Sequence, residues 1–429
     1  LIKWLIEKAK YGFRDQNIGR LVENYLSLSV LQVINYLLPL ITLPYLVRIL
    51  GVEKFGLVMF AMAFIQYFLI FADYGFNLSA TKEISVYRNN KTKVSEIFFS
   101  VMIIKSLLIF IGLLIFSAIV LGFDKFSGDW KVYFFTLGIV IGNTMFPIWF
   151  FQGMEKMKYI TILNITAKSI FTILIFVFIR EQSDYLYVPI FNSLGYISAG
   201  AISLWIIFRN FGLKVYIPKV SIVYGYFKNS TQFFLSRASV SLYSNSNTFI
   251  IGLFLGNAMA GYYAAAEKLF MAIRMVYTPL NTALYPYMCK AKNLKLYKRI
   301  FKYAVLFNFL LSLVIFIFST FIINMLYGEG FMISADLLKI FSGLSLVMVP
   351  AILLGYPLLA AMGYPKYVNY STIVASLLHI AILIAILPII NVYLVAAVTI
   401  LTQLIVVGIR VYGVKKYLSG VRETSFCAE

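Results

Sequence analysis

Residues 367–409 read YVNYSTIVASLLHIAILIAILPIINVYLVAAVTILTQLIVVGI, 43 positions without one Asp, Glu, Lys or Arg. A helix that crosses a bilayer needs about 20 apolar residues. The stretch therefore holds two spans, with a turn at 388–393. Charge-free runs of about 18 to 29 residues recur at 24–47, 55–72, 106–123, 132–154, 185–208, 238–266, 303–328 and 340–365. Hydrophobic residues make up 61% of the chain and charged residues 13%, about half the charged share of a soluble domain. Soluble helices would also show polar faces. The pattern is that of an all-α polytopic membrane protein.

Twelve transmembrane helices are expected, at 24–47, 55–76, 97–121, 132–152, 159–179, 186–208, 231–255, 262–286, 303–326, 337–361, 367–387 and 392–412. With the N-terminus in the cytoplasm, the outer loops carry only Arg48, Lys54, Lys125, Lys131 and Arg180, and the inner segments about five times as many basic residues. This is the positive-inside bias. It places both termini inside and accounts for most of the net charge of +20 without a nucleic-acid partner. Cys289 and Cys427 fall in or beside inner segments, so no disulfide framework is expected. Residues 1–20 are charged and mixed, and no cleavable leader is expected there.

The two halves repeat. Leu50, Gly51 and Gly56 recur as Leu255, Gly256 and Gly261 at an offset of 205, and Pro147, Gly153 and Lys156 recur as Pro357, Gly363 and Lys366 at an offset of 210. Six spans per half is even, so the repeat is parallel. Transporters built this way hold substrate between the halves. The expected organisation is a cytoplasmic segment 1–23, a six-helix bundle 24–210, a cytoplasmic linker 211–230, a second six-helix bundle 231–412 and a cytoplasmic tail 413–429, with the bundles around a central cavity. Pro39 and Pro44 in the first span remove intrahelical donors and bend it. They read either as packing kinks or as a hinge for alternating access. Pro147, Pro279, Pro350 and Pro357 bend later spans.

Six cations inside spans stand out: Lys105, Lys168, Arg237, Lys268, Arg274 and Lys339. Only two acids accompany them, Asp73 and Glu267. A charge at the centre of a span costs about 2.5–3.5 kcal/mol on insertion scales, so these groups pair, snorkel or line water. Lys339 can snorkel outward, and Lys268 is off-centre. Lys168 and Arg274 lie near mid-depth, with Lys105 and Arg237 to the inner side. The expected anion site is therefore Arg237, Arg274, Lys168 and Lys105. Asp73 and Glu267 read as structural ion-pair partners or as coupling carboxylates for H+ or Na+. Span seven is polar from Gln232 through Ser236, Ser239, Ser241, Tyr243, Ser244, Asn245, Ser246, Asn247 and Thr248, which suits a cavity wall that meets hydroxyls and phosphate oxygens. His379 reads as a packed core residue rather than a proton relay. Metal clusters, nucleophile triads and phosphate-cradling Gly loops are absent from the sequence, so neither catalysis nor a bound cofactor is expected.

PLITLPYLVRILGVEKFG at 39–56 followed by DYGFNLSATKEI at 73–84 resembles the N-terminal signature of Wzx-type O-antigen flippases. WFFQGMEK at 149–156 and GYYAAAEKL at 261–269 resemble two further family segments. The resemblance covers about 1–415. It implies the polysaccharide-transporter branch of a superfamily that also holds multidrug exporters and peptidoglycan-precursor flippases. It further implies a bacterial inner-membrane protein that moves undecaprenyl-pyrophosphate-linked oligosaccharide outward through a cationic lumen. An O-antigen polymerase and a chain-length regulator are the implied partners. A multidrug exporter would favour an acidic cavity. A polymerase or ligase would carry a large periplasmic loop, and no outer loop here exceeds about ten residues. The peptidoglycan-precursor flippase shares the need for cations.

Overall fold

The computed structural model describes the backbone of residues 16–425; the side chains of 16–33, 35–37, 40, 236, 239–245 and 417–425 stand outside the description. Cys427, most of the expected segment 1–23 and the polar positions Ser236, Ser239, Ser241, Tyr243, Ser244 and Asn245 of span seven thus lie outside the described residues.

The helices are α1 (Gln16–Asp73), α2 (Phe76–Tyr87), α3 (Lys91–Gly122), α4 (Trp130–Met145), α5 (Ile148–Gly153), α6 (Met157–Phe178) and α7 (Tyr187–Asn210). There follow α8 (Val220–Leu255), α9 (Asn257–Met275), α10 (Thr278–Ala291), α11 (Leu294–Tyr327), α12 (Met332–Leu353), α13 (Pro365–Ala385) and α14 (Val392–Ser425). No strand occurs among the described residues. Nine described helical stretches are long and apolar enough to cross a membrane. Span two and the last residues of span one, 41–47, fall in one stretch, Ile41–Tyr87. Span seven lies within α8, whose described residues include the short apolar stretch Ser246–Leu255. Span eight is not one helix. It divides at Val276 and Tyr277, and Pro279, which has no N–H, opens α10 rather than continuing α9.

Two compact units emerge, residues 61–238 with the chain up to 42, and residues 43–60 with 239–429. In the first, Trp149, Phe150 and Phe151 of α5 are fully buried among Phe98, Val101, Ile160 and Ala199. The bend that holds α5 follows Phe146 and Pro147. Leu107, Phe110 and Leu114 on α3 are exposed; a lipid-facing stripe explains them better than solvent would.

In the second unit the repeat becomes visible in the backbone. Gly51 interrupts α1 with φ 65° and ψ 173°, and Gly256 precedes α9 with φ 94° and ψ 172°. This is a region essentially limited to glycine. The two repeat copies also pack on each other. A Cβ on Gly56 would stand 1.8 Å from the Asn257 carbonyl oxygen, and one on Gly261 would stand 2.5 Å from that of Val52. Missing side chains let helix backbones touch, as small residues do at membrane helix interfaces. The interruption of α1 lies at Gly51, while Pro39 and Pro44 sit within its helical part.

A second irregularity is a π turn at Leu354–Ala360, where Gly355 leaves helical dihedrals. Pro357 cannot donate to the Leu353 carbonyl. The Tyr297 hydroxyl does so instead, at 3.0 Å. Arg410 donates to the Ala351 carbonyl through Nη1 at 2.5 Å and to Ser371 Oγ through Nε at 3.0 Å. Every backbone group freed in a membrane must find such a partner.

Candidate functional site

The first unit gathers three of the expected site residues. Asp73 ends α1, Lys105 lies on α3 and Arg237 on α8. Lys105 Nζ is 3.7 Å from Asp73 Oδ1, and Arg237 Nη1 is 3.5 Å from Asp73 Oδ2. Two cations thus share one carboxylate, one on each oxygen. Lys105 is 2% exposed, Asp73 13% and Arg237 48%. The set carries a surplus positive charge. Its contacts are long for charge-assisted hydrogen bonds, which run about 2.7–2.9 Å, so the pairs are loose.

The local sequence explains the placement. Tyr74 and Gly75 both take left-handed dihedrals, φ 46° and 77°, which stop α1 directly after Asp73. Gly75 permits the turn to meet α8, because a Cβ there would stand 2.8 Å from Phe233 Cβ and from Phe234 N. Tyr74 stacks between Phe227 and Phe234, each with centroids 4.6 Å away and 12° between planes. Its hydroxyl meets Thr231 Oγ1 at 3.1 Å. The turn, held on both faces of one ring, fixes Asp73 against α3 and α8.

A cavity of about 430 Å³ opens beside this cluster, with Phe76, Val101 and Phe233 in its wall. Val101 precedes Lys105 by four residues, Phe233 precedes Arg237 by four, and Phe76 follows Asp73 by three. On α3 and α8 the cavity therefore begins about one turn from a member of the ion cluster, and Phe76 opens α2 just past the Tyr74–Gly75 turn that follows Asp73. Lys82, Lys228, Asn229 and Gln232 add polar groups, with Glu83 as an acid in the same wall. Ser79 and Ser230 join hydroxyls at 2.7 Å across α2 and α8. The arrangement can receive an anion with hydroxyl-bearing groups attached.

The other expected residues are placed elsewhere. Lys168 is half-buried on α6 in the first unit. Arg274 and Glu267 belong to the second unit. Arg274 is exposed in the last turn of α9, at the break that divides span eight, where a cation suits the helix C-terminus. Glu267 accepts a hydrogen bond from Thr248 at 3.4 Å. His379 is fully buried, as a core residue would be, but it is tied into a polar network. Arg410 is a cation inside span twelve that sequence reasoning did not single out, although its place in a hydrophobic run was the available signal. Among the described residues no group of three or more His, Cys, Asp or Glu could hold a metal ion.

Comparison with known proteins gives the following. A family model described as "Polysaccharide biosynthesis protein" matches residues 21–292. An Escherichia coli (strain K12) protein named "Putative O-antigen transporter" is 30% identical over 370 residues, 84% of this chain and 88% of that protein. A Shigella dysenteriae protein of the same name is 25% identical over 83% of this chain and 91% of its own length. Among solved structures, an inward-facing multidrug resistance MATE family transporter of the MOP superfamily matches with TM-score 0.70 at 13% identity, covering 94% of this chain and 99% of that one. Lipid II flippase MurJ, in an inward closed conformation, matches with TM-score 0.69 at 14% identity, covering 92% and 87%. At such identity these two structures speak for the fold alone.

Proposed function

This chain belongs to the polysaccharide biosynthesis protein family, and on that premise we propose that it flips undecaprenyl-pyrophosphate-linked O-antigen, or a similar surface-polysaccharide repeat unit, across the bacterial inner membrane by alternating access. The observation that carries the reading is the cluster of Lys105 and Arg237 on Asp73, set within apolar helices beside a polar cavity. A pyrophosphate brings more than one negative charge, and one loosely held carboxylate leaves the cations short of negative partners. Arg237 is half exposed, so its planar fork can turn to phosphate oxygens and bind them bidentately. Lys105 supplies a point charge from the buried side. Lys168 and Arg274 are proposed as further cations met by the pyrophosphate during transit.

Both termini are proposed to face the cytoplasm, from the basic bias of the inner segments. Pro39 and Pro44 are proposed as the bending points of the first span. Glu267 is proposed as a carboxylate coupled to an H+ or Na+ gradient, with Asp73 serving chiefly to hold the two cations apart from lipid. An O-antigen polymerase and a chain-length regulator are the proposed partners. A drug exporter is the weaker reading, because cationic drugs would meet the surplus positive charge of this cluster.

Complementation of a deletion strain tests the reading. Arg237→Ala should accumulate in the membrane at the wild-type level and fail to restore surface polysaccharide, and Arg237→Lys should restore it in part. Full restoration by Arg237→Ala would sink the assignment.

A further inference from the structure

A groove of about 520 Å³ lies between α13 and α14, lined by Lys366, Tyr367 and Tyr370 from the first and by Gly408, Ile409 and Tyr412 from the second. All six belong to the second unit, and none is a member of the ion cluster on Asp73. Two glycines shape it. Gly413 lets Tyr367 lie on the α14 backbone, because a Cβ there would stand 2.7 Å from Tyr367 Cγ. Gly408 leaves the floor open, since a Cβ there would meet nothing within 4 Å. Tyr367 and Tyr412 meet edge to face, with centroids 6.3 Å apart, and Lys366 Nζ lies 5.6 Å from the centroid of the Tyr367 ring. Tyr370 and Tyr412 are 67% and 60% exposed, so their hydroxyls can donate to a guest.

Charge decides the sign of that guest. No Asp or Glu occurs from 337 to 422, so neither α13 nor the described part of α14 offers Lys366 a carboxylate. Lys415, exposed and three residues past Tyr412, extends the cationic end of the groove by one turn of α14. The basic bias of inner segments does not require such a surface. In the first unit Arg88 and Lys93, also in or beside an inner segment, are each paired with an acid, Glu155 and Glu96. Shape decides the rest. Exposed Tyr370, Ile373 and Leu377 continue along α13, and exposed Leu404 and Leu401 run back from Gly408 along α14, each at helical spacing. Leu377 is 11 residues from Lys366, about 16 Å at 1.5 Å per residue, or about half of a 30 Å hydrocarbon core. Tyrosines and lysines at helix ends also form plain interfacial belts. A belt needs neither a concave site with a glycine floor nor an acid-free rim.

We propose that this groove is a binding site for an anionic phospholipid, with the phosphate held by Lys366 and the hydroxyls of Tyr370 and Tyr412, and the acyl chains laid along the two apolar stripes. Lys415 attracts the headgroup from the rim. The stripes end one leaflet deep, which suits a phospholipid chain; a polyprenyl tail would overrun them. The leaflet is the cytoplasmic one in the orientation proposed above. The site itself stands apart from the transport reading, since it shares no residue with the cluster that carries it.

Native mass spectrometry of the full chain in mild detergent tests the proposal, by titration with phosphatidylglycerol or with phosphatidylcholine carrying the same acyl chains. The wild type is expected to bind the first phosphatidylglycerol about tenfold more tightly. Lys366→Gln should lose about fivefold of that affinity, the attraction of one basic residue for an anionic lipid, and leave phosphatidylcholine unchanged. Gly408→Leu should fold, because its Cβ meets no other atom within 4 Å, and should weaken both lipids by filling the floor. Lys295→Gln removes an exposed cation of α11 outside the groove and should change nothing. Equal affinity of the wild type for the two lipids overturns the proposal. So does a loss in Lys295→Gln as large as that in Lys366→Gln, which would describe a diffuse basic surface. An undiminished preference in Gly408→Leu, with a wild-type melting midpoint, would place the lipid elsewhere. Displacement of phosphatidylglycerol by undecaprenyl pyrophosphate at far lower concentration would make the groove a substrate site and overturn the phospholipid assignment. The flipping assay of Arg237→Ala is read separately, so either conclusion can fail without the other.

Discussion

Neutralising Asp73 should expose how the cluster is balanced. Asp73→Asn keeps the shape of the side chain and removes the charge that Lys105 and Arg237 share. Lys105 is 2% exposed and cannot turn to water. At 3.7 Å and an effective dielectric of about 20, its attraction to the carboxylate is about 4 kcal/mol. Removing one partner of a buried pair costs about 3–5 kcal/mol, because the remaining charge stays buried. Arg237, half exposed, is screened and adds little to that figure. Asp73→Asn is therefore expected to destabilise by about 3 kcal/mol, read as a lower apparent unfolding midpoint of the purified protein in detergent. Lys105→Met in the same chain removes the stranded charge and should return most of the loss. The assay is a double-mutant cycle over the wild type, both single variants and the pair. If Asp73→Asn and Lys105→Met act additively, the long contacts carry no coupling and the electrostatic argument fails.

Gly56→Ala should prevent the protein from accumulating in membranes, since the new Cβ would fall 1.8 Å from the Asn257 carbonyl oxygen; quantitative blotting checks this against Gly343→Ala, where a Cβ meets nothing within 4 Å. Tyr74→Ala should cost about 3–5 kcal/mol for a truncated aromatic, whereas Tyr74→Phe keeps both stacks and should lose only about 1 kcal/mol with the hydrogen bond to Thr231, as thermal melts of the two variants would report. Arg410→Met removes the guanidinium donor that the Ala351 carbonyl has besides the Leu354 N–H at the π turn, and the donor to Ser371, and should lower the melting midpoint; an unchanged midpoint would mean that the Leu354 N–H alone satisfies the carbonyl. Reporter fusions at Asn89, Gly212 and Lys295 should report cytoplasm, and those at Ser127 and Gly328 periplasm, with a cytoplasmic signal at either of the last two overturning the proposed topology.

Charge-free length made the helical class legible, because a bilayer leaves a chain few alternatives. The offset of 205 between Gly51 and Gly256 pointed to the repeat, and the matching dihedrals give it a cause. What sequence could not show was that Gly56 and Gly261 touch, since an offset says that two positions correspond, not that they meet. Depth counting found Lys105 and Arg237 but assigned them to different halves; chain order hides that the inner part of α8 belongs with the first unit. Arg274 was counted along an unbroken span, yet the chain breaks three residues short of Pro279. His379 showed only burial-prone surroundings in the sequence. Its partners Asn247 and Thr402 stand 132 and 23 residues away, and no local pattern links them.

The central claim is that this chain moves a pyrophosphate-linked saccharide across a bilayer through the cations on Asp73. The most direct measurement is flipping of undecaprenyl-pyrophosphate-linked repeat unit in proteoliposomes containing the purified protein, comparing wild type with Arg237→Ala at equal incorporation. Charge-assisted hydrogen bonds to phosphate are worth about 1.5–3 kcal/mol, so the account predicts that the wild type flips the lipid and that the variant flips it about ten- to a hundredfold more slowly at limiting substrate. Equal rates in the two proteins, or no flipping by the wild type, would contradict it.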